Sequence, residues 1–181
     1  MERGDDRFTA AFDSYSAQVL AFALRRVGSR EDAEDVAAET FAVAWRRRGS
    51  IPGSPLPWLY AIAANVIRNN RRSTRRLGRL RSKLAGERTA EGANLADLVT
   101  ENDAFATAFA ELSEGQREIL RLAAWEGLDT CEGAVALDCS EAAFKVRLHR
   151  ARRELEKRMS AAGHEGDEMP KPTLRSEVKE K

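Results

Sequence analysis

Arginines concentrated in residues 140–158, beside Glu141, Lys145 and His149, are the side chains of this sequence best suited to bind a polyanion. The hydroxyl of Ser140 can accept a hydrogen bond from a backbone N–H of a first helical turn, which predicts that a helix begins there. One side of this helix is predicted to be a buried apolar stripe, formed by Phe144, Leu148, Ala151 and Leu155. The opposite side is then a broad cationic surface that suits a phosphate backbone.

A shorter helix is predicted immediately before this one. The segment 129–137 opens on Asp129 with Glu132 three positions later, the spacing of a capping box. Only Asp138 and Cys139 separate it from Ser140, so the two helices are predicted to form a helix-turn-helix, whose second helix enters the major groove of DNA. The residues of this segment also fit a solvated amphipathic helix in a bundle.

Composition limits the other classes of protein. With 43% hydrophobic and 33% charged residues among 181, the chain is expected to be soluble and to build cores. It has no apolar run of about 18 residues and no signal-peptide pattern after Met1, so we expect a cytoplasmic protein without membrane insertion. Cys131 and Cys139 lack partners at metal-ligand spacing, and no nucleophile with a base or phosphate loop occurs. We therefore expect no cofactor, no metal site and no enzymatic activity.

The formal net charge of +1 conceals a segregation of charge along the chain. Residues 68–83 contain eight cationic side chains and no acid, whereas residues 84–114 contain seven acids and one arginine, Arg88. A second basic block covers residues 147–158. This pattern predicts contact with a polyanion at two separate places.

Apolar residues recur at helical rather than strand spacing throughout, which predicts an all-α protein. In the first half we expect a helix over about 8–27, whose buried side includes Phe12, and a second over 31–48 that starts at Ser29 or Arg30. Three prolines and two glycines predict a loop over 49–57, followed by a third helix from about Trp58.

The second half begins with a change in composition. We expect a flexible linker, then a helical bundle that contains a helix from the capping box Ser113–Gln116 to Gly127, and a disordered tail. The predicted domains are therefore residues 1–76, a linker of 77–102, a helix-turn-helix domain of 103–159, and a tail of 160–181.

Three motifs, in this order, make residues 8–158 similar to a family of bacterial proteins. They are 32-DAEDVAAETF-41 with Ala44 and Trp45, then 57-PWLYAIAAN-65 running into Arg71 and Arg72, then 112-LSEGQRE-118 leading to 146-VRLHRAR-152. The chain resembles the extracytoplasmic-function (ECF) sigma factors of RNA polymerase. The resemblance implies a transcription initiation factor that binds core RNA polymerase and directs it to promoters.

The resemblance implies two kinds of protein partner. Core polymerase is expected to bind through the clamp of its largest subunit and through its flap region, and an anti-sigma protein is a further expected partner of a chain that is monomeric when free. A solvated acidic surface is the alternative for the second helix. The residues expected to contact the clamp are Asp32, Asp35, Glu39, Phe41 and Trp45.

The resemblance also implies that the loop and third helix melt and read the downstream promoter element. This needs a pocket for an unstacked base, an aromatic side chain and cations along a single strand. Trp58 could equally anchor the core. The expected contact residues are Arg47, Arg48, Ser50, Ile51, Trp58, Asn65, Arg68, Asn69, Arg71 and Arg72.

The helix-turn-helix is expected to read the upstream element as duplex DNA. Glu141 and Lys145 are the residues expected to discriminate bases, because a carboxylate accepts from cytosine and a lysine donates to guanine. His149 could instead lie on the helix surface without a base contact. The expected contact residues are Ser140, Glu141, Ala142, Lys145, Val146, Arg147, His149, Arg150 and Arg152.

Four positions depart from the family pattern. Ala38 replaces a usual glutamine, and Asn69 replaces a frequent aspartate. Gly133 replaces a large apolar residue, at a cost of about 1 kcal/mol in helix propensity, and Asp138 replaces a turn glycine. From the last two we expect a less rigid helix-turn-helix.

The main rival is a stand-alone helix-turn-helix regulator that binds DNA without polymerase. An enzyme and a purely structural helical adaptor are further alternatives, for which the sequence offers no motif.

Overall fold

A computed structural model of the chain describes residues 2–85 and 103–161, and this part contains seven α-helices, one 3₁₀ turn and no strand. The all-α prediction is therefore confirmed. The chain divides into an N-terminal unit, Met1–Ala96, and a C-terminal unit, Asp97–Lys181. In order, the elements are α1 (Glu2–Leu24), α2 (Arg30–Arg46), the 3₁₀ turn (Arg48–Ser50), α3 (Pro55–Ala85), α4 (Asp103–Ala110), α5 (Glu114–Ala124), α6 (Thr130–Ala136) and α7 (Glu141–Ala161).

Helices α1, α2 and α3 pack on one another to form the N-terminal unit. Phe22 of α1 is fully buried and stacks on Tyr60 of α3, with ring centroids 4.5 Å apart. Helix α2 begins as predicted, because the hydroxyl of Ser29 accepts a hydrogen bond from the backbone N–H of Asp32 at 3.0 Å. This bundle holds both the acidic side of α2 and the cationic side of α3.

The boundaries of the N-terminal helices differ from the predicted ones. Helix α1 begins at Glu2 rather than near residue 8, and α2 ends at Arg46, where the 3₁₀ turn follows. Helix α3 begins at Pro55 rather than Trp58, because a proline at a first helical position loses no hydrogen bond.

Helix α3 also continues through Ala85, nine residues into the segment predicted as linker. Residues 77–85 are mostly leucine, arginine, lysine and alanine, which favour helix, and the single glycine, Gly78, costs only about 1 kcal/mol. The rest of the predicted linker, 86–102, and the predicted tail from residue 162 lie outside the described residues.

The C-terminal unit is built from α4 to α7, and its core forms where α4, α5 and α6 pack against α7. The predicted capping box of α5 is present, since Ser113 N–H donates to Gln116 Oε1 at 2.9 Å and Gln116 N–H donates to Ser113 Oγ at 3.3 Å. Gly127 follows α5 with a φ of 64°, a conformation that favours glycine. At the other end of the unit, Arg158 of α7 donates to Glu111 Oε2 at 2.7 Å.

Candidate nucleic-acid interface

Helices α6 and α7 form the predicted helix-turn-helix, with each helix start capped by a side chain. Asp129 Oδ1 accepts from the backbone N–H of Glu132 at 2.8 Å, and Asp129 N–H donates to Glu132 Oε2 at 3.2 Å. Ser140 Oγ accepts from the backbone N–H of Ala143 at 3.2 Å. The turn is closed by the N–H of Cys139, which donates to the carbonyl of Ala134 at 3.0 Å. These contacts fix where α7 starts relative to α6.

Gly133 lies in α6 directly against the ring of Phe144 in α7. A Cβ at this position would lie 2.2 Å from Phe144 Cζ and 2.4 Å from Cε2. Phe144 is fully buried, so its ring has little room to move away. The glycine therefore allows the close approach of the two helices.

Asp138 occupies the turn with a φ of 50°, in the left-handed region. A left-handed backbone costs an ordinary side chain about 1–2 kcal/mol, more for a β-branched one and little for glycine. We therefore expect Asp138→Gly to leave the free energy of unfolding unchanged or raise it by up to about 1 kcal/mol, and Asp138→Val to lower it by about 1–2 kcal/mol. Denaturant unfolding of both variants checks this, and a stable valine variant would contradict it.

The side chains of α7 divide into a buried stripe and an exposed surface. Phe144, Leu148, Ala151 and Leu155 are all buried, as predicted. The predicted DNA contact residues lie on the remaining surface, where only Arg152 is half-buried. The exposed members are Ser140, Glu141, Ala142, Lys145, Val146, Arg147, His149 and Arg150.

Glu141 and Lys145, the two residues predicted to discriminate bases, form an ion pair with each other. Lys145 Nζ lies 2.7 Å from Glu141 Oε1, and Thr130 Oγ1 donates to the same oxygen at 3.0 Å. The hydrogen bond from Lys145 is the larger cause, and that from Thr130 the next, of a pKa of Glu141 below its ordinary value. The carboxylate therefore remains an acceptor. Sequence reasoning missed Thr130, because it lies eleven positions before Glu141 across a turn.

Helix α3 and the turn before it present most of the cations predicted to contact single-stranded DNA. Trp58 is half-buried, which fits either predicted role. Arg68 donates to Asn65 Oδ1 on the surface of α3. The exposed members of the predicted set along this surface are Arg47, Ser50, Asn65, Arg68, Asn69, Arg71 and Arg72.

Three members of that set have structural contacts in the N-terminal unit. Ile51 is only 3% exposed, so its side chain supports the loop from inside. Arg48 donates to Asp5 Oδ1 of α1, and its guanidinium lies 4.4 Å from the ring centroid of Trp45. Arg71 Nη2 donates to the carbonyl of Arg26 at 2.7 Å, beyond the end of α1. These side chains position the surface.

The adjacent arginines of α3 are expected to differ in their effect on stability. Arg71→Gln removes the donor to the Arg26 carbonyl and should lower the free energy of unfolding by about 1–2 kcal/mol. Arg72→Gln is the matched control, because it makes the same change at the next, also exposed, position of α3, and should change it by less than about 0.5 kcal/mol. Thermal unfolding of the full chain measures both, and equal melting temperatures would contradict a bracing role for Arg71.

Three acidic residues of α2 form one stripe. Asp32, Asp35 and Glu39 follow one another at steps of three and four and are all exposed, whereas Phe41 is buried. Beside the stripe, a groove of about 320 Å³ between α1 and α2 is lined by small and apolar side chains and by Glu34. The lining residues are Ser16, Ala17, Leu20, Glu34, Ala37, Ala38 and Phe41.

Aromatic side chains extend this surface toward the start of α1. Trp45 is 43% exposed and packs on Phe8 with ring centroids 5.0 Å apart, while Phe12 packs on Phe41 at 4.8 Å. Phe12 is 44% exposed, which corrects its prediction as a core residue. Helical periodicity placed Phe8 and Phe12 on one face, but that face continues past the edge of the bundle.

The described residues offer neither a metal site nor a membrane span. Within residues 2–85 and 103–161, no three His, Cys, Asp or Glu side chains are grouped so that they could hold a metal ion. No helix in the described part of the chain has the length and apolarity needed to cross a membrane.

The sequence matches two families that cover the two units. Residues 11–77 match Sigma-70 region 2, and residues 102–155 match Sigma-70, region 4. The ECF RNA polymerase sigma factor SigL of Mycobacterium tuberculosis is 31% identical over 153 residues, which are 81% of this chain and 85% of that protein. The ECF RNA polymerase sigma factor BldN of Streptomyces coelicolor is 33% identical over 158 residues, 83% of this chain and 59% of that protein.

Solved structures are also similar to this chain. The sigma factor RpoE from Bartonella quintana, in complex with the anti-sigma factor NepR, matches with a TM-score of 0.61 and 26% identity over 84% of this chain and 96% of that one. CnrH, in complex with the cytosolic domain of CnrY, shares the fold with a TM-score of 0.53 over 85% of this chain and 88% of that one. With both sigma regions present and relatives matched over most of their length, the chain belongs to the ECF sigma factors of RNA polymerase and is a transcription initiation factor.

Proposed function

We propose that this sigma factor binds core RNA polymerase through α2 and places two DNA-reading surfaces, one on each unit, on a promoter. The observation that carries the proposal is the exposed cationic surface of α7, the second helix of a capped helix-turn-helix. The polymerase supplies the chemistry, and this chain supplies position and specificity.

The upstream element is read by α7. Its first turns carry Glu141 and Lys145, whose side chains match the exposed groups of cytosine and guanine in the major groove. Arg147 and Arg150 are exposed two and five residues beyond Lys145 and bind phosphates on either side. The short turn at Asp138 and Cys139 holds α6 across the backbone while α7 enters the groove.

The downstream element is melted and read by α3 and the turn before it. Exposed Arg68 and Arg72 lie one helical turn apart and can follow the phosphates of a displaced strand. Asn65, held by Arg68, offers an amide that can bond the edge of an unstacked base. Ile51 supports this surface from within the bundle, and Arg48 and Arg71 brace it through hydrogen bonds to Asp5 and to the carbonyl of Arg26.

Core polymerase docks on α2. The stripe of Asp32, Asp35 and Glu39 suits a basic surface of the polymerase clamp. Trp45 and the neighbouring groove add apolar area, and Ala38 lines that groove. We assign an apolar side chain of the polymerase to it.

Each unit alone binds DNA weakly on this proposal. When both are held on one polymerase, binding of the second element becomes intramolecular, so the fixed spacing of the two elements raises the overall affinity. A stand-alone regulator is not favoured, because a protein that acts without polymerase does not need Sigma-70 region 2, which residues 11–77 match.

An anti-sigma protein is a further proposed partner. The Bartonella quintana sigma factor was solved in complex with one, and it covers 84% of this chain at 26% identity. A protein that covers the acidic stripe of α2 would compete with core polymerase for this chain.

Binding to core polymerase tests the docking surface. The double variant Asp35→Asn/Glu39→Gln removes two carboxylates four positions apart without loss of helix stability, because like charges at this spacing repel. We expect it to bind core polymerase at least about tenfold more weakly. Glu156→Gln, an exposed carboxylate on α7, is the control and should bind as the parent does. Equal binding of the double variant would contradict docking through α2.

A further inference from the structure

Thr130, the first residue of α6, makes a contact that the proposed reading of the upstream element does not use. Its Oγ1 donates to Glu141 Oε1 at 3.0 Å, across the turn that joins the two helices. Lys145 Nζ reaches the same oxygen at 2.7 Å. Two donors from two different helices therefore hold one oxygen of the carboxylate. The inference below rests on the proposed role of α7 as the upstream reader.

The other carboxylate oxygen has a different environment. Among residues 103–161 no hydrogen bond or ion pair falls on Glu141 Oε2, and the side chain is 49% exposed. A carboxylate can accept about four hydrogen bonds through its two oxygens, so Oε2 remains able to accept from a ligand.

We propose that Thr130 is a positioning residue that, together with Lys145, holds Glu141 so that Oε2 faces the major-groove edge of one base pair and selects cytosine there. Cytosine alone presents only an amino donor on this edge, whereas guanine presents acceptors that repel a carboxylate. A glutamate with free rotamers could turn away from a mismatched base and lose this discrimination. Lys145 keeps further N–H donors that can reach a neighbouring guanine.

The hydroxyl of Thr130 is not needed to form its own helix. The start of α6 is already capped by Asp129 and Glu132, whose reciprocal hydrogen bonds are both present. The contact with Glu141 therefore acts on the carboxylate rather than on the helix end. It also contributes to the low pKa of Glu141, after the larger contribution of Lys145, and so keeps the acceptor ionised.

The test compares Thr130→Val, which keeps the shape but loses the donor, with Thr130→Ser, which keeps the donor. Each full-length variant is combined with core polymerase and selected on promoter DNA with a randomised upstream element, with Glu141→Gln as a reference. We expect the parent and the serine variant to enrich cytosine at one position. The valine variant should lose about threefold to tenfold of that preference, at that position alone. The pKa of Glu141, measured by NMR titration, should rise in the valine variant.

Each of three other outcomes would overturn a stated part of the inference or of the proposed function. If Glu141→Gln loses the cytosine preference and Thr130→Val keeps it within twofold, Thr130 does not position the carboxylate, although α7 still reads the element. If Thr130→Val weakens binding equally at every position, the hydroxyl acts on a phosphate or on stability, and the inference fails. If Glu141→Gln leaves all preferences unchanged, Glu141 reads no base, and both the inference and its part of the proposed function fail.

Discussion

Replacing Arg147 and Arg150 by glutamate is expected to lower the affinity of the polymerase complex for its promoter on the order of 100-fold at physiological salt. Both side chains are exposed on α7, beyond the residues proposed to read bases. Each phosphate contact releases about one counterion, so the loss of two contacts should also reduce the slope of log affinity against log salt by about 1.8. Promoter binding of the holoenzyme, measured across a salt series, gives both quantities.

The control for this experiment lies on the same helix. Lys157→Glu makes the same change of charge as Arg147→Glu at an exposed position ten residues further along α7. This is about 15 Å along a helix, which exceeds the Debye length of about 8 Å at physiological salt. The control should retain the parental affinity within about twofold. If it weakens binding as much as Arg147→Glu does, the effect reflects net charge and not a defined phosphate contact.

Substitutions at Gly133 are expected to destabilise the helix-turn-helix, although helix propensity alone predicts the opposite. Alanine in place of glycine inside a helix normally gains about 1 kcal/mol. Here the added Cβ would overlap the buried ring of Phe144, with three ring atoms closer than 3.0 Å. Overpacking of a core costs about 1–3 kcal/mol. We expect Gly133→Ala to destabilise by about 1–2 kcal/mol and Gly133→Leu to unfold the C-terminal unit.

A second-site change makes the Gly133 prediction specific. Phe144→Leu removes the ring that the new Cβ would meet, so the double variant Gly133→Ala/Phe144→Leu should recover part of the stability that the alanine costs. Amide hydrogen exchange of α6 and α7 localises the effect in the full chain. An alanine variant with faster exchange in α1 to α3, or with higher stability than the parent, would contradict the packing seen between Gly133 and Phe144.

Local chemistry made much of this fold predictable. The caps at Ser29, Ser113, Asp129 and Ser140 depend on residues at most three positions apart, and all four are present. The buried stripe of α7 follows from helical periodicity in the same way. Such features can be predicted because both partners lie within one helical turn.

Features that depend on two helices at once could not be predicted. The fit of Gly133 against Phe144 and the hydrogen bond from Thr130 to Glu141 need the relative position of α6 and α7, which the spacing of residues does not give. The exposure of Phe12 likewise depends on where the neighbouring helix stops covering its face.

Helix α3 extends beyond its predicted end for a different reason. Its sequence from Leu77 to Ala85 favours helix locally, but the nearby glycine and the dense charge suggested a linker. Helix propensity prevailed, because one glycine among strong helix formers is a small cost.

Run-off transcription tests the central claim most directly. The purified full-length protein is combined with core RNA polymerase that lacks any sigma factor, on DNA from the source organism, and the transcript starts are mapped. We expect discrete starts that share two motifs at a fixed spacing upstream and that disappear without the protein or with the Arg147→Glu/Arg150→Glu variant. Specific binding of DNA by the protein alone, without any polymerase-dependent transcript, would contradict its role as a promoter-specificity factor and would favour a stand-alone regulator.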